Sequence, residues 1–360
     1  MQVHWRRIQA ARNTYAILAA ACEQAGFTMD LVDRPIPDVT CYSLNSLSAP
    51  ALKEEIRTAP CITIAGGPYA TACYQEAATW ADYVVVGEGE HTLPSLLAAI
   101  EEGDGRIPSG VATSDEYTPA RSSVVLDAFP PFSQVKGYIE ISRGCPHRCG
   151  YCQTPQIFGH CMRHRSIEAV VRAAERCRDV RCVTPNALAY GSDGIHPRLD
   201  KVEHLLRRLS GAVYIGTFPS EVRPEFITPE ALDLICTYCS NTRLHFGAQS
   251  GSDRVLTALG RGHTVSAVEE AVDLCREAGI TPVVDMIVGL PCDDDESERA
   301  TGKLIRWVAD RGIVHAHQFM PLPATRLANS APRPLLPETV HMLGHLSLTG
   351  KLTGSWRIRH

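Results

Sequence analysis

Residues 142–152 read Ser142-Arg143-Gly144-Cys145-Pro146-His147-Arg148-Cys149-Gly150-Tyr151-Cys152. The residues just before, 137–142, have the composition of a strand, so the three cysteines are expected in a loop at a strand's carboxyl end. A tight loop can aim three thiolates at one iron–sulfur cluster, and three protein ligands leave one iron open. Arg143, His147 and Arg148 give the loop positive character, which is expected to favour thiolate. The competing reading is a zinc site. Zinc usually pairs CxxC motifs and needs a fourth ligand, for which His147 and His160 are the candidates.

Downstream of this loop the chain keeps a strand–helix rhythm. Strand runs at 180–184, 212–217, 243–248, 281–288 and 313–319 alternate with helical runs at 166–178, 199–209, 228–239, 264–278 and 297–311. With the strand at 137–142 they make six units over residues 136–325, which predicts a partial (βα)6 parallel barrel. Chemistry in such barrels sits at the strands' carboxyl ends. Upstream, residues 1–102 show a helix at 13–25 that stops at Gly26, and strand runs at 27–32, 39–44, 61–65 and 83–86. That alternation predicts an α/β, Rossmann-like, doubly wound sheet, whose ligands bind beyond the strand ends. Two of its strands run into Gly66-Gly67-Pro68 and Gly87-Glu88-Gly89-Glu90, where glycine lets a bulky ligand approach the backbone. Residues 103–135 are rich in Gly and Pro and read as a linker with a short hairpin. Residues 326–360 form a C-terminal tail, partly helical.

The formal charge of −5 weighs against a broad nucleic-acid surface. No apolar run is long enough to span a membrane and no signal core follows Met1, so a cytoplasmic, membrane-free protein is expected. Cys22, Cys41, Cys61, Cys73, Cys161, Cys177, Cys182, Cys275 and Cys292 are scattered through apolar stretches and read mostly as buried small side chains. Cys236 and Cys239 form a CxxC inside a helical pattern and read as buried helix-face residues rather than a redox pair. Arg163-His164-Arg165 reads as a solvated patch. His315 and His317 alternate on one strand and so share a face, either lining a barrel interior or held as core histidines.

The spacing CxxxCxxC with Tyr151 before the third cysteine resembles the radical-SAM superfamily, over about residues 137–325. His245-Phe246-Gly247-Ala248-Gln249-Ser250-Gly251-Ser252 resembles the family's fourth-strand Gly-x-Glu-Ser-Gly-Ser, with Gln249 replacing the usual glutamate. Met286-Ile287-Val288-Gly289-Leu290-Pro291 resembles its fifth-strand Ile-x-Gly-Leu-Pro, and Phe319-Met320-Pro321-Leu322-Pro323 its sixth-strand end. The resemblance implies a [4Fe–4S] cluster on Cys145, Cys149 and Cys152, and S-adenosyl-L-methionine (SAM) held by Tyr151, Ser220, Arg223, Gln249 and Ser250. For Arg223 a carboxylate contact with SAM and an ion pair with Glu221 or Glu225 weigh equally. The family's second-strand Gly-Gly-Glu is not matched; Tyr190-Gly191-Ser192-Asp193-Gly194 stands there.

Ala65-Gly66-Gly67-Pro68-Tyr69-Ala70 and Val86-Gly87-Glu88-Gly89-Glu90 resemble segments of the cobalamin-binding domains that precede radical-SAM domains in one subfamily. This implies cobalamin contacts at Ser43, Gly66, Gly67, Pro68, Gly87, Glu88, Gly89 and Glu90. Without an Asp-x-His-x-x-Gly, no histidine is expected beneath the cobalt. The activity implied is C-methylation of an unactivated sp3 carbon, with a protein glutamine as one candidate, akin to the glutamine C-methylation of methyl-coenzyme M reductase. Its rivals are another corrinoid-associated radical rearrangement, RNA methylthiolation, and a non-catalytic corrinoid or iron–sulfur carrier. The expected partners are a protein or small-molecule substrate and an electron donor such as ferredoxin or flavodoxin. No residue stands out as a catalytic acid or base.

Overall fold

The computed structural model describes residues 1–120 and 123–357. The chain forms two compact units: Met1–Ile139 with Gln153–Gly159 and Glu168–Ala173, and the remainder from Glu140 onward.

In the first unit, β1 (Val3–Arg6), β2 (Met29–Val32), β3 (Val39–Ser43), β4 (Ile62–Gly66), β5 (Tyr83–Val85) and β6 (Val111–Ala112) form one sheet in the order β2-β1-β3-β4-β5-β6. All its pairings are parallel except that of β6. The sequence reading missed β1, a four-residue strand carrying His4 and Arg6. Its identity is tertiary: Val3 and Trp5 pack in one cluster with Tyr15, Val39, Cys41, Ile64 and Val85. Within the expected linker at 103–135, Val111 and Ala112 add an edge strand to this sheet, and Ala112 bridges Tyr117 in the antiparallel sense, as the expected short hairpin requires. Val111 and Ala112 are both fully buried, which a free linker does not achieve. The order reverses between β1 and β3, and that gap is the sheet's topological switch point.

In the second unit, β7 (Ile139–Glu140) leads into β8 (Ser142–Arg143), which pairs antiparallel with β9 (Arg163–His164). Then follow β10 (Asp179–Val183), β11 (Ala212–Tyr214), β12 (Arg243–Gln249), β13 (Thr281–Val288), β14 (Ile313–Gln318) and β15 (Leu352–Thr353). Strands β7, β10 and β11 make one sheet segment and β12 to β15 another, with neighbours in chain order. A parallel bridge pairs Val222, in the stretch after β11, with Phe246 of β12. The result is an open arc of the expected partial barrel, lengthened by β15, a strand the tail contributes after its helix Pro337–Leu348.

Leu244, Phe246, Val284, Met286, Val314 and Ala316 are buried on one face of β12–β14. Helices Val265–Glu277 and Asp295–Ala309 pack on these strands. Threonine and aspartate N-caps start both helices, at Thr264 and Asp294. The other face carries Gly247, Asp285 and His315 in one cross-strand row. Among the described residues no helix is long and apolar enough to cross a membrane.

Candidate functional site

The cysteine loop leaves β8 and returns as β9. Gly144 starts it with φ +89°, a conformation glycine adopts without strain. The Gly150 N–H donates to the Leu259 carbonyl at 2.8 Å, and its own carbonyl accepts from Leu327 N–H at 3.0 Å. A Cβ at Gly150 would stand 2.9 Å from the Arg326 guanidinium, so a larger residue would require that side chain to move. Beneath the loop His164 is locked. Its Nε2 faces the Ser192 carbonyl at 2.8 Å and so carries the proton; its Nδ1 accepts from Gly191 N–H at 3.2 Å and from the Ser142 hydroxyl at 2.8 Å. Burial lowers its pKa, which keeps it neutral. Arg165 is 2% exposed, so Arg163-His164-Arg165 is not a solvated patch but a buttress of the loop.

The electrostatics around the thiols differ from expectation. Arg143 is bound to Glu140 through two hydrogen bonds of 2.9 and 2.7 Å. Burial lowers the His147 pKa and pushes the Cys145 thiol up. Burial thus favours the thiol form of Cys145, and its deprotonation must accompany metal binding, as thiolate ligation generally requires. Cys149 is 9% exposed; Cys145 and Cys152 are partly buried. Among the described residues no three His, Cys, Asp or Glu side chains converge on a single-ion site.

The guanidinium of Arg261 meets the loop from behind. It reaches the Tyr151 hydroxyl at 3.1 Å, the Cys149 sulfur at 3.9 Å and the Gly247 carbonyl at 2.6 Å. A Cβ at Gly247 would lie 3.1 Å from Arg261 Nη2 and 3.2 Å from Glu221 Oε2, so this glycine makes their convergence possible. Asp285, on the adjacent strand, neighbours Glu221. Burial, then the neighbouring Glu221 charge, pushes Asp285 up to about 9; burial also raises Glu221, with Arg261 pulling the other way. Both carboxyls are thus biased toward the protonated form. Neither Arg261 nor this pair was picked out from the sequence. The available signal was a lone carboxylate inside the apolar run Val283-Val284-Asp285-Met286-Ile287-Val288.

The other expected SAM residues gather around the same strand ends, but most are engaged within the protein. Ser220 donates to the Thr184 carbonyl at 3.1 Å, and Ser250 Oγ lies 3.2 Å from Thr301 Oγ1. Arg223 bonds Glu225 at 2.5 Å and also donates to the Arg261 carbonyl. Gln249 is buried with φ +71°, just past a bulge in β12. Tyr190 donates to the Arg165 carbonyl at 2.7 Å, and Asp193 caps Ile195 and His196. His315 and His317 lie on the face of Asp285, with their Nε2 atoms 2.8 Å apart and His315 Nδ1 2.8 Å from Thr353 Oγ1.

Of the scattered cysteines, Cys22, Cys41, Cys182 and Cys275 are buried, whereas Cys61, Cys73, Cys177 and Cys292 are partly exposed and Cys161 is exposed. In the CxxC, Cys236 is exposed and Cys239 partly so, which corrects the buried-pair expectation. The helix Pro229–Tyr238 ends between them, so they do not share its buried face.

In the first unit the glycines of the strand-end loops have distinct roles. Gly67 has φ +89°, and a Cβ there would lie 2.8 Å from the Leu44 backbone and 2.9 Å from Ser43 Oγ. It therefore packs on the protein itself, against the expectation of an open ligand approach. Pro68 starts the helix Gly67–Ala72. Gly66 is extended and a Cβ would meet only ordinary contacts at 3.7–3.8 Å; Gly87, with φ +84°, faces open space. Gly89 lies against Leu18, and Glu90 is buried. Glu88 Oε2 accepts from Val124 N–H at 3.0 Å. With Gly87 it borders a cavity of about 520 Å³ that His91, Thr92 and Ser123 also line.

Residues 139–305 match the family model of the radical SAM superfamily. Such a match implies a [4Fe–4S] cluster and SAM. An uncharacterized protein of Methanopyrus kandleri is 27% identical over 75% of this chain and 62% of its own. The tRNA-2-methylthio-N(6)-dimethylallyladenosine synthase of Geobacter sulfurreducens is 30% identical over 64% of this chain and 52% of its own. The chain thus spans only part of the length of these curated relatives. Among solved structures, the radical S-adenosylmethionine methyltransferase TsrM of Kitasatospora setae, with cobalamin and a [4Fe–4S] cluster bound, has a TM-score of 0.67. The match covers 91% of this chain and 77% of TsrM at 18% identity, a likeness of fold.

Proposed function

We propose that this chain is a radical SAM enzyme that uses a corrinoid to methylate an unactivated sp3 carbon. The observation that carries this reading is the three-cysteine loop, held on rigid neighbours at the strand ends of a radical SAM domain. The likeness of fold, over 91% of the chain, to a cobalamin-bound methyltransferase supports the corrinoid. Bound together, the cluster, SAM and corrinoid supply hydrogen abstraction from the substrate carbon and delivery of a methyl group to it.

Cys145, Cys149 and Cys152 hold the cluster in this reading. Arg261 fixes Tyr151 beside it, and Gln249 borders the same strand ends. Glu221 and Asp285, both biased toward the protonated form, place polar oxygens on the open face of the sheet, suited to orienting a polar substrate group. In the first unit Ser43, Gly66, Gly67, Pro68, Gly87, Glu88, Gly89 and Glu90 form the corrinoid-binding edge, in which Gly66 and Gly87 leave the backbone bare and Gly67 and Glu88 brace it. A ferredoxin or flavodoxin provides the electron, and a protein side chain such as glutamine is among the candidate substrates.

The test is product stoichiometry after anaerobic reconstitution. Methylation through the corrinoid uses one SAM for hydrogen abstraction and a second to recharge the cobalt, so 5′-deoxyadenosine and S-adenosylhomocysteine accumulate in equal amounts with substrate. A deuterated SAM methyl appears in the product. Production of 5′-deoxyadenosine alone, with no methyl gain, overturns methylation in favour of a rearrangement. The Geobacter relative favours one second reading, methylthiolation of a tRNA adenosine. Sulfur in the product nucleoside identifies that outcome.

A further inference from the structure

Arg261 is 8% exposed, and the contacts of its two η nitrogens point in different directions. Nη2 donates to the Gly247 carbonyl of β12 at 2.6 Å, which anchors the side chain to the sheet. Nη1 reaches the Tyr151 hydroxyl at 3.1 Å and the sulfur of Cys149 at 3.9 Å. Its backbone carbonyl is held in turn by Arg223. Burial works against the guanidinium charge, but Tyr151, Cys149 and Glu221 outweigh it, so the group stays cationic. The neighbouring His263 adds no charge, since burial pushes it down to about 4.

We propose that Arg261 is a positioning residue that raises the reduction potential of the cluster through its hydrogen bond to Cys149 Sγ. The inference rests on ligation of that cluster by Cys145, Cys149 and Cys152. An electron added to a buried cluster increases the negative charge on its sulfur ligands. A permanent cation ~4 Å from one of them, where water is excluded, favours the reduced form. Outer-shell hydrogen bonds to ligands tune metal centres in this way. Lysine is a poor substitute, because a single ammonium cannot grip Gly247 while also addressing Tyr151 and Cys149.

The experiment compares the reconstituted wild-type chain with Arg261→Gln, Arg261→Lys and Tyr151→Phe. Iron and sulfide per chain are measured first, then the midpoint potential by titration followed with electron paramagnetic resonance. Arg261→Gln should keep its iron while the reduced-to-oxidised ratio at a fixed potential falls about tenfold, equivalent to ~59 mV for a one-electron couple. Arg261→Lys should shift the same way by less. Tyr151→Phe should stay near the wild-type value, because the contact with Cys149 remains. Full iron with an unmoved midpoint in Arg261→Gln overturns the proposal; if that variant does not fold, the same result in Arg261→Lys overturns it. A wild-type chain that takes up no cluster instead sinks the ligation reading, and this inference with it.

Discussion

At the ends of β4 and β5 the chain is bare. Gly66 and Gly87 leave room at the strand ends, where a built Cβ meets nothing closer than 3.7 Å, although the Gly87 N–H donates to the Thr71 hydroxyl at 3.0 Å. At the ends of β11 to β13 it is crowded: Glu221, Arg261, Gln249 and Asp285 converge over Gly247. One edge is shaped by missing side chains, the other by polar groups that satisfy one another. A bare edge needs little from the rest of the fold and tolerates change until a ligand arrives. A crowded edge is organised before any ligand arrives, and each member depends on its neighbours.

The largest expected effect comes from the cysteines of the crowded unit. Cys149→Ala removes a ligand, and should abolish both the cluster absorbance and SAM cleavage after anaerobic reconstitution. Cys236→Ala, an exposed thiol on another helix, should change neither. Native-rate SAM cleavage by Cys149→Ala would refute the ligand assignment.

Within the bare edge Gly67 is the exception, and its substitution should be the most damaging there. Gly67→Ala places a Cβ 2.8 Å from the Leu44 backbone at a φ of +89°. Steric strain together with the left-handed conformation should cost about 2–4 kcal/mol. Calorimetry or denaturant unfolding should show this loss with no ligand present. An unaltered midpoint would mean that Gly67 is as free as its neighbour.

Asp285→Asn probes the crowded edge by pH. The folded-state pKa of Asp285 is raised to about 9, so the folded chain keeps a proton that the unfolded chain has lost above its ordinary carboxylate range. Stability from this group is present in acid and declines as pH rises from about 4 to 9. Asparagine cannot ionise, so the variant should gain on wild type across that window, by at least about 1 kcal/mol at pH 8 and by less at pH 5. A difference that does not grow with pH would mean that Asp285 is ionised in the folded state.

Both edges were legible in the sequence, in unequal depth. The cysteine loop and the alternation of strands and helices are local patterns, and the structure has the predicted barrel arc and doubly wound sheet. Strand β1 escaped because its burial comes from partners at Val39, Cys41 and Ile64, far along the chain. Residues 103–135 looked like linker because Gly and Pro conceal the two-residue edge strand that finds β5. Arg261, Glu221 and Asp285 belong to three separate segments, and no spacing rule unites them before the barrel folds. The glycine motif showed where backbone is exposed but not which glycine serves a ligand and which serves the fold.

That distinction gives the smallest expected effect. Gly66 is extended at φ −149°, a conformation any residue adopts, and an added Cβ meets only Val85 and Tyr42 at 3.7–3.8 Å. Gly66→Ala should therefore leave stability within about 0.5 kcal/mol of wild type. If the bare edge receives a corrinoid, the added methyl should still intrude on the ligand. Overpacking of this kind costs about 1–3 kcal/mol, roughly 5- to 150-fold in affinity. Anaerobic titration with hydroxocobalamin reads this directly, beside unfolding curves of the same preparations. Unchanged stability with weakened binding marks Gly66 as ligand-facing, and separates it from Gly67, where stability itself falls. Equal affinity in wild type and Gly66→Ala would mean that the corrinoid does not approach the end of β4, and the cobalamin residues assigned there would have to be abandoned.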